Sequence, residues 1–261
     1  MPLRRTAFFC ALAFCSVVSS PTLAPAAAAP ARCTRLVLTA HPDYPPVAWA
    51  HGGTLRGAGI EVVRQLAKDA DVPLVITDEG SWAAAQSAVK SGKADAIVGL
   101  YRTPKRMEFF DYVQPAIAPD PSAVLARVGE PFSYTGWNSL IGKKGAASHG
   151  EAYGDTFDAF MKARLTIQRV SGFSGVYQAV ADKSADYGLI GYYAAVTGAP
   201  KSIRIVEPNF VTEGLFIAFG KHSACEARLT PTFSKDVKRM IADGTVKRLF
   251  AAALAQYKAS H

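Results

Sequence analysis

Ala88-Val89-Lys90-Ser91-Gly92-Lys93-Ala94-Asp95-Ala96-Ile97-Val98-Gly99 decides the fold, because a second version of it follows as Ala179-Val180-Ala181-Asp182-Lys183-Ser184-Ala185-Asp186-Tyr187-Gly188-Leu189-Ile190-Gly191. In both, Ala-Val precedes Ala-Asp by the same interval, and a short apolar strand then runs into glycine. A single echo is not the periodicity of a solenoid. It marks one helix–turn–strand unit in each of two lobes, the alternative being chance similarity in alanine-rich sequence.

Upstream of the first copy, Leu36-Val37-Leu38 reads as a strand, and Ile60, Val63, Leu66, Ala67 and Ala70 recur at helical spacing over about 59–71. Leu74-Val75-Ile76 is a second strand, Ala83 to Ser91 a helix ended by Gly92, and Ala96-Ile97-Val98 a third strand. This alternation predicts an α/β chain with largely parallel sheets. Pro115, Pro119, Pro121 and Pro131 punctuate the chain between the two copies, and Pro200 and Pro208 do so after the second. Prolines suit segments that cross between lobes, since each fixes φ and interrupts pairing. Leu215 to Phe219 then forms a strand, and two helices follow, separated by Asp243-Gly244 with Thr245 as N-cap. The expected organisation is lobe one over 32–118, lobe two over 119–208 and a return to lobe one over 209–261. Two crossing strands make a hinge that allows closure over a central ligand cleft.

The N-terminus reads as a secretory leader over 1–31. Arg4 and Arg5 precede an apolar stretch from Ala7 to Val18, and small-x-small cleavage sites lie between Ala24 and Ala31. About 230 residues then remain, enough for one large or two modest cores. The net charge is +8, with Arg4 and Arg5 contributing two and no basic run elsewhere, so no nucleic-acid partner is expected. Cys10 and Cys15 leave with the leader. Cys33 and Cys225 remain, and two thiols in an oxidising compartment are expected to bond, the alternative being two separate thiols.

Ligands of open α/β sheets bind beyond the carboxyl ends of strands. Three loops qualify: His41-Pro42-Asp43-Tyr44-Pro45-Pro46, Gly99 to Arg106, and Gly145 to Gly154, which includes Ser148, His149 and Glu151. In the second, Thr103 is a good N-cap and Pro104 suits the first helical position, which leaves backbone N–H groups for an anion. Arg106, one turn in, could grip a carboxylate with its planar fork. The plainer reading pairs it with Glu108 or Asp111 on the surface. Tyr44, Trp82, Tyr101 and Tyr192 are candidate cleft walls or, singly, ordinary core and surface aromatics. Catalytic signatures are missing: there is no H-E-x-x-H, G-x-S-x-G, C-x-x-C or dinucleotide fingerprint, and the five histidines show no ligand spacing. No metal, cofactor or enzymatic activity is expected.

Tyr44-Pro45-Pro46, Gly59-Ile60-Glu61-Val62, Gly92 to Ile97, Thr103-Pro104-Lys105-Arg106, Phe110-Asp111-Tyr112 and Asp243-Gly244-Thr245, behind a leader, resemble the polar amino-acid-binding family of extracytoplasmic solute-binding proteins. These are the capture subunits of ABC importers. The resemblance implies a type II periplasmic-binding fold, a monomer in the periplasm, an amino acid or related carboxylate as ligand and a membrane permease as partner. It implies that Tyr44 lies against the ligand, that Gly99, Leu100 and Tyr101 hydrogen-bond it through the backbone, and that Arg106 holds its α-carboxylate. Trp82 falls where such proteins place a cleft aromatic.

Two departures bear on the ligand. Glu151 and Ala152 follow Gly150 where the family has Ser or Thr, and Gly191-Tyr192-Tyr193 stands where it has an aspartate for the α-ammonium. A buried ammonium without an anion is costly. Either Glu151, Asp43 or Glu213 substitutes, or the ligand is a carboxylate with an apolar or aromatic body and no α-ammonium. The competing functions are a ligand-sensing partner of a membrane receptor and a dehydratase-like enzyme on the same fold, with Glu151 or His149 as acid–base groups.

Overall fold

The computed structural model describes Met1 and residues 32–260, so the leader expected over 1–31 lies, beyond its first residue, outside the described residues. The first apolar run forms β1 (Leu36–Ala40), and a meander unforeseen in the sequence follows as β2 (Asp43–Tyr44), β3 (Ala48–His51) and β4 (Thr54–Arg56). Helix α1 (Ala58–Asp69) buries Ile60, Val62, Val63, Leu66 and Ala67 along one stripe. After β5 (Leu74–Ile76), α2 (Trp82–Lys90) starts where Ser81 Oγ accepts the Ala84 N–H at 3.1 Å, and β6 (Ala96–Leu100) follows. Strand β1 pairs in parallel with both β5 and β6, the pattern of βαβ crossovers.

A short helix α3 (Pro104–Met107) and β7 (Phe110–Tyr112) lead into β8 (Ala118–Arg127). Then come β9 (Lys144–Ser148), α4 (Asp155–Arg164), β10 (Thr166–Val170), α5 (Gly172–Ala181), β11 (Tyr187–Gly191) and α6 (Tyr192–Gly198). Strand β9 lies parallel between β10 and β11. The chain returns through β12 (Ile203–Gly220) and ends in α7 (Glu226–Ala242) and α8 (Thr245–Ser260). The sheet order is β10-β9-β11-β8-β12-β6-β1-β5, with β7 beside β12. Strand β12 is antiparallel to β8 up to Leu215 and to β6 and β7 beyond it. Strands β8 and β12 therefore run from one half-sheet to the other. The result is two α/β lobes joined by two crossing strands.

The two echoed segments have the same physical content. Ala94 N–H donates to Ala88 O at 3.1 Å, and Ala185 N–H to Ala179 O at 2.8 Å, which explains the shared interval. Asp95 Oδ2 accepts the Val37 N–H, and Asp186 Oδ2 accepts the Lys144 N–H, each at 2.8 Å. Each aspartate thus satisfies an amide at the start of the neighbouring parallel strand. Gly92 and Lys183, both four residues past the opening alanine, turn with φ of 78° and 68°.

Cys33 and Cys225 form a disulfide across 192 residues of sequence, tying the beginning of lobe one to the start of α7. One capping expectation is corrected. Thr245 is the first residue of α8, and Asp243 supplies the side-chain cap by accepting the Thr245 N–H at 2.9 Å.

Candidate ligand-binding cleft

The segment after β6 folds as its residue types dictate. Thr103 Oγ1 accepts the Arg106 N–H at 3.3 Å, Pro104 occupies the first turn of α3, and this geometry turns the Arg106 side chain inward. Arg106 is only 6% exposed and, among the described residues, forms no ion pair with Glu108 or Asp111. Its guanidinium donates to Tyr101 O in its own lobe at 3.2 Å and to Gly150 O in the other at 3.0 Å. It also lies 5.7 Å from the Trp82 ring centroid, within cation–π range. Gln86 reaches the same Gly150 carbonyl at 3.2 Å. Gly150 is required there: its φ is +80°, and a Cβ would stand 2.7 Å from the Gln86 amide nitrogen.

Deeper in, Asp120 on β8 has no exposed surface, and its Oδ2 accepts hydrogen bonds from both the Tyr44 and Tyr101 hydroxyls. Its Oδ1 has no hydrogen-bond partner among the described residues. Burial drives the Asp120 carboxyl well above the usual carboxylate range; the charge of Glu151 adds to this, and the Tyr193 and Tyr192 amides oppose it. Gly191 makes room for this group, since a Cβ would lie 2.6 Å from the Tyr44 hydroxyl and 2.8 Å from Asp120 Oδ2. Asp120 Oδ2 thus lies beside position 191, where the family resemblance leads one to expect an aspartate.

A second buried pair, Glu151 and His41, lies at the same cleft. Burial pushes Glu151 up to about 7, opposed by Arg106 and Arg169 and reinforced by Asp158. Its Oε1 is 3.6 Å from His41 Nε2. Burial lowers His41 to about 3, so the imidazole is neutral. Because His41 Nδ1 accepts the Asp43 N–H at 2.9 Å, the proton resides on Nε2, which faces Glu151. His41 stacks on Phe173 with centroids 4.6 Å apart and on Trp82 at 5.3 Å. Asp43 reaches across as well: its Oδ2 accepts the Ser174 N–H and hydroxyl at 3.2 Å, capping α5, which Ser171 leaves without a side-chain cap.

These contacts leave an inter-lobe cavity of about 10 Å³, room for about one water. Of the residues expected in the site, Tyr44, Trp82, Gly99, Leu100, Tyr101, Arg106 and Glu151 line it, together with Phe173 and Gly191. Ser148, His149 and Tyr192 do not. Ser148 is buried at the end of β9, where its carbonyl accepts from Arg169 at 2.9 Å; His149 is exposed; Tyr192 is half-buried on α6. His41 opens the first of the loops expected to bind ligand and Gly191 stands at the place of the missing aspartate, whereas Asp120 and Phe173 carry no expectation from sequence. The available signal for Asp120 was an acid between two prolines in an otherwise apolar segment. Among the described residues no three or more His, Cys, Asp or Glu come together as a metal site.

The chain resembles solved structures at low sequence identity. An amino-acid ABC transporter substrate-binding protein of Streptococcus pneumoniae, bound to L-arginine, matches with a TM-score of 0.74 and 19% identity, covering 86% of this chain and 96% of that one. An arginine-, lysine-, histidine-binding protein of Geobacillus stearothermophilus gives 0.70 and 16%, covering 83% and 93%. A histidine kinase sensor domain gives 0.73 and 20%, covering 85% and 97%. These likenesses establish a type II periplasmic-binding fold. No curated relative matches by sequence. The model of the bacterial extracellular solute-binding proteins, family 3, matches residues 36–255, and the chain belongs to that family.

Proposed function

We propose that this protein captures a free α-amino acid between its lobes outside the cytoplasm and delivers it to an ABC importer. The observation that carries this reading is a buried arginine lining the cavity and a buried aspartate bonded to Tyr44 and Tyr101, two tyrosines that line it. A guanidinium has five N–H donors, and Arg106 commits two hydrogen bonds to backbone carbonyls, which leaves donors for a guest carboxylate. An ammonium beside Asp120 would favour the ionised carboxylate against the burial that raises its pKa, and Oδ1 is the oxygen placed to accept it. Of the acids weighed from sequence, Asp43 is engaged in capping α5, and among the described residues Glu213 makes no bond to a residue lining the cavity, whereas Asp120 is bonded to two of them, Tyr44 and Tyr101. A cavity of about 10 Å³ holds no amino acid, so the guest enters when the lobes part.

Calorimetry with amino acids and their desamino analogues tests the reading. The α-amino acid should bind at least about tenfold more tightly than its desamino analogue, and Asp120→Asn should erase that preference, since a charge-assisted contact contributes about 1.5–3 kcal/mol. A desamino acid that binds as tightly as the amino acid sinks it. The similarity to a histidine kinase sensor domain favours a second reading, ligand sensing, which uses the same cleft. Uptake lost on deleting a neighbouring permease gene supports transport, whereas altered gene expression with uptake intact supports sensing.

A further inference from the structure

A second cavity, about 750 Å³, opens on the outer side of Arg106. Its volume falls in the range of small-molecule sites, ~300–1,000 Å³. Arg106 and Glu151 line both cavities, so the two share a wall. Lobe one contributes Lys90, Lys105 and Arg106 to this vestibule; lobe two contributes Asp155 and Asp158 on the first turn of α4, the cations Lys162 and Arg169, and Met161, Leu165 and Ile167 as an apolar floor.

Among the described residues no ion pair joins the basic face to the acidic one. The charges nevertheless act on one another. Burial lowers the Lys90 pKa, and Arg106 and Lys105 lower it further. Burial raises the Asp158 pKa, while the Tyr153 amide and then Arg106 and Arg169 pull it down. Lobe one therefore holds like charges that a guest carboxylate would relieve, and on lobe two Asp155 and Asp158, which form no ion pair among the described residues, present two neighbouring carboxylates to a guest cation beside Lys162 and Arg169. Phosphate or another pure anion satisfies only one face. A chain with an acid at one end and a base at the other satisfies both.

The geometry points to a second ligand subsite in this vestibule, which holds a zwitterionic chain of dipeptide size, its carboxylate between Lys90 and Lys105 and its cationic end at Asp155 and Asp158. This goes beyond capture of a free amino acid in the inner cleft, and it uses residues that the inner cleft does not.

The probe is glycyl-L-lysine, titrated calorimetrically into the full mature chain. Binding is expected, weakened about tenfold or more by Lys90→Gln with Lys105→Gln, and severalfold by Asp155→Asn. Asp155→Asn should leave N-acetylglycine, which carries the carboxylate and no cationic end, unaffected. Among the described residues the three substituted side chains make no hydrogen bond or ion pair, so the variants should fold, and free amino-acid binding serves as the control. Absence of glycyl-L-lysine binding at millimolar concentration overturns the proposal. So does binding that ignores the lysine pair and is lost in Asp120→Asn, which would place the probe in the inner cleft. A protein that binds glycyl-L-lysine through Lys105 but no free amino acid would keep this subsite and refute the inner-cleft reading instead.

Discussion

Replacing Glu151 by Gln should change the pH dependence of stability more than stability itself. In the unfolded chain this carboxyl ionises near its ordinary value of 4.5; in the folded protein burial holds it protonated up to about 7. Between those values the folded state binds more protons, so stability falls as pH rises. The contribution is fully present below about pH 4.5 and gone once pH passes about 7. At about 1.4 kcal/mol per pH unit, the shift amounts to an upper limit of about 3 kcal/mol. A glutamine side chain carries no titrating proton, so the variant should gain on the parent by up to about 3 kcal/mol between pH 4.5 and 8. His41 works in the opposite sense, because its lowered pKa costs stability as pH falls below 6.5. It is present in both proteins and cancels in the difference. Urea unfolding followed by tryptophan fluorescence at four pH values measures that difference. A gap that stays constant from pH 5 to 8 would refute the assignment of a buried, proton-holding Glu151.

Further expectations follow from single contacts. Cys225→Ser should lower stability by about 2–5 kcal/mol, read as a drop in Tm that reductant reproduces in the parent and not in the variant, because the bond closes a loop of 192 residues. Lys183→Gly should raise stability by roughly 0.5–1 kcal/mol in denaturant unfolding, since φ of 68° strains a side chain and the exposed pair with Glu130 contributes little. Gly191→Ala should weaken amino-acid binding at least about tenfold by calorimetry, because its methyl would displace both the Tyr44 hydroxyl and Asp120. Asp43→Ala should cost about 1 kcal/mol of thermal stability through the lost cap on α5.

The parts of the fold that are local in sequence were legible there. Leu74–Ile76 is a strand to the residue, and the stripe of α1 and the Thr103-Pro104 helix start stand as their residue types require. The echo was legible because Asp95 and Asp186 do the same work on neighbouring amides. What failed to show depends on contacts distant in sequence. Asp120 receives hydroxyls from residues 76 and 19 positions away, and nothing near it in the chain announces that convergence. Phe173 becomes a cleft residue only because α5 brings it onto His41 from the other lobe. The β2–β4 meander was missed because its strands are only two to four residues long, too short for a two-residue period to register.

The placement of Asp120 has a mechanical consequence. Tyr44, Tyr101 and Arg106 belong to lobe one, and Asp120 lies at the lobe-one end of the crossing strand β8, three residues beyond Ile117, whose amide bonds Leu215. Both charges proposed to hold the guest are therefore anchored in lobe one and its crossing strand, with the Tyr192 and Tyr193 amides of lobe two acting on Asp120 from the other side. An aspartate at position 191 would have split them, one on each side of the hinge. Here the open protein can dock its guest on one rigid surface first. Lobe two then adds Gly150, Glu151, Phe173 and the space above Gly191, which select for shape more than for charge. Closure itself is held by the bonds from Arg106 and Gln86 to Gly150, from Ser174 to Asp43 and from Thr197 to Pro45. Loss of a charge partner should thus slow capture, whereas Asp43→Ala should mainly speed release, a split that stopped-flow association and dissociation rates separate.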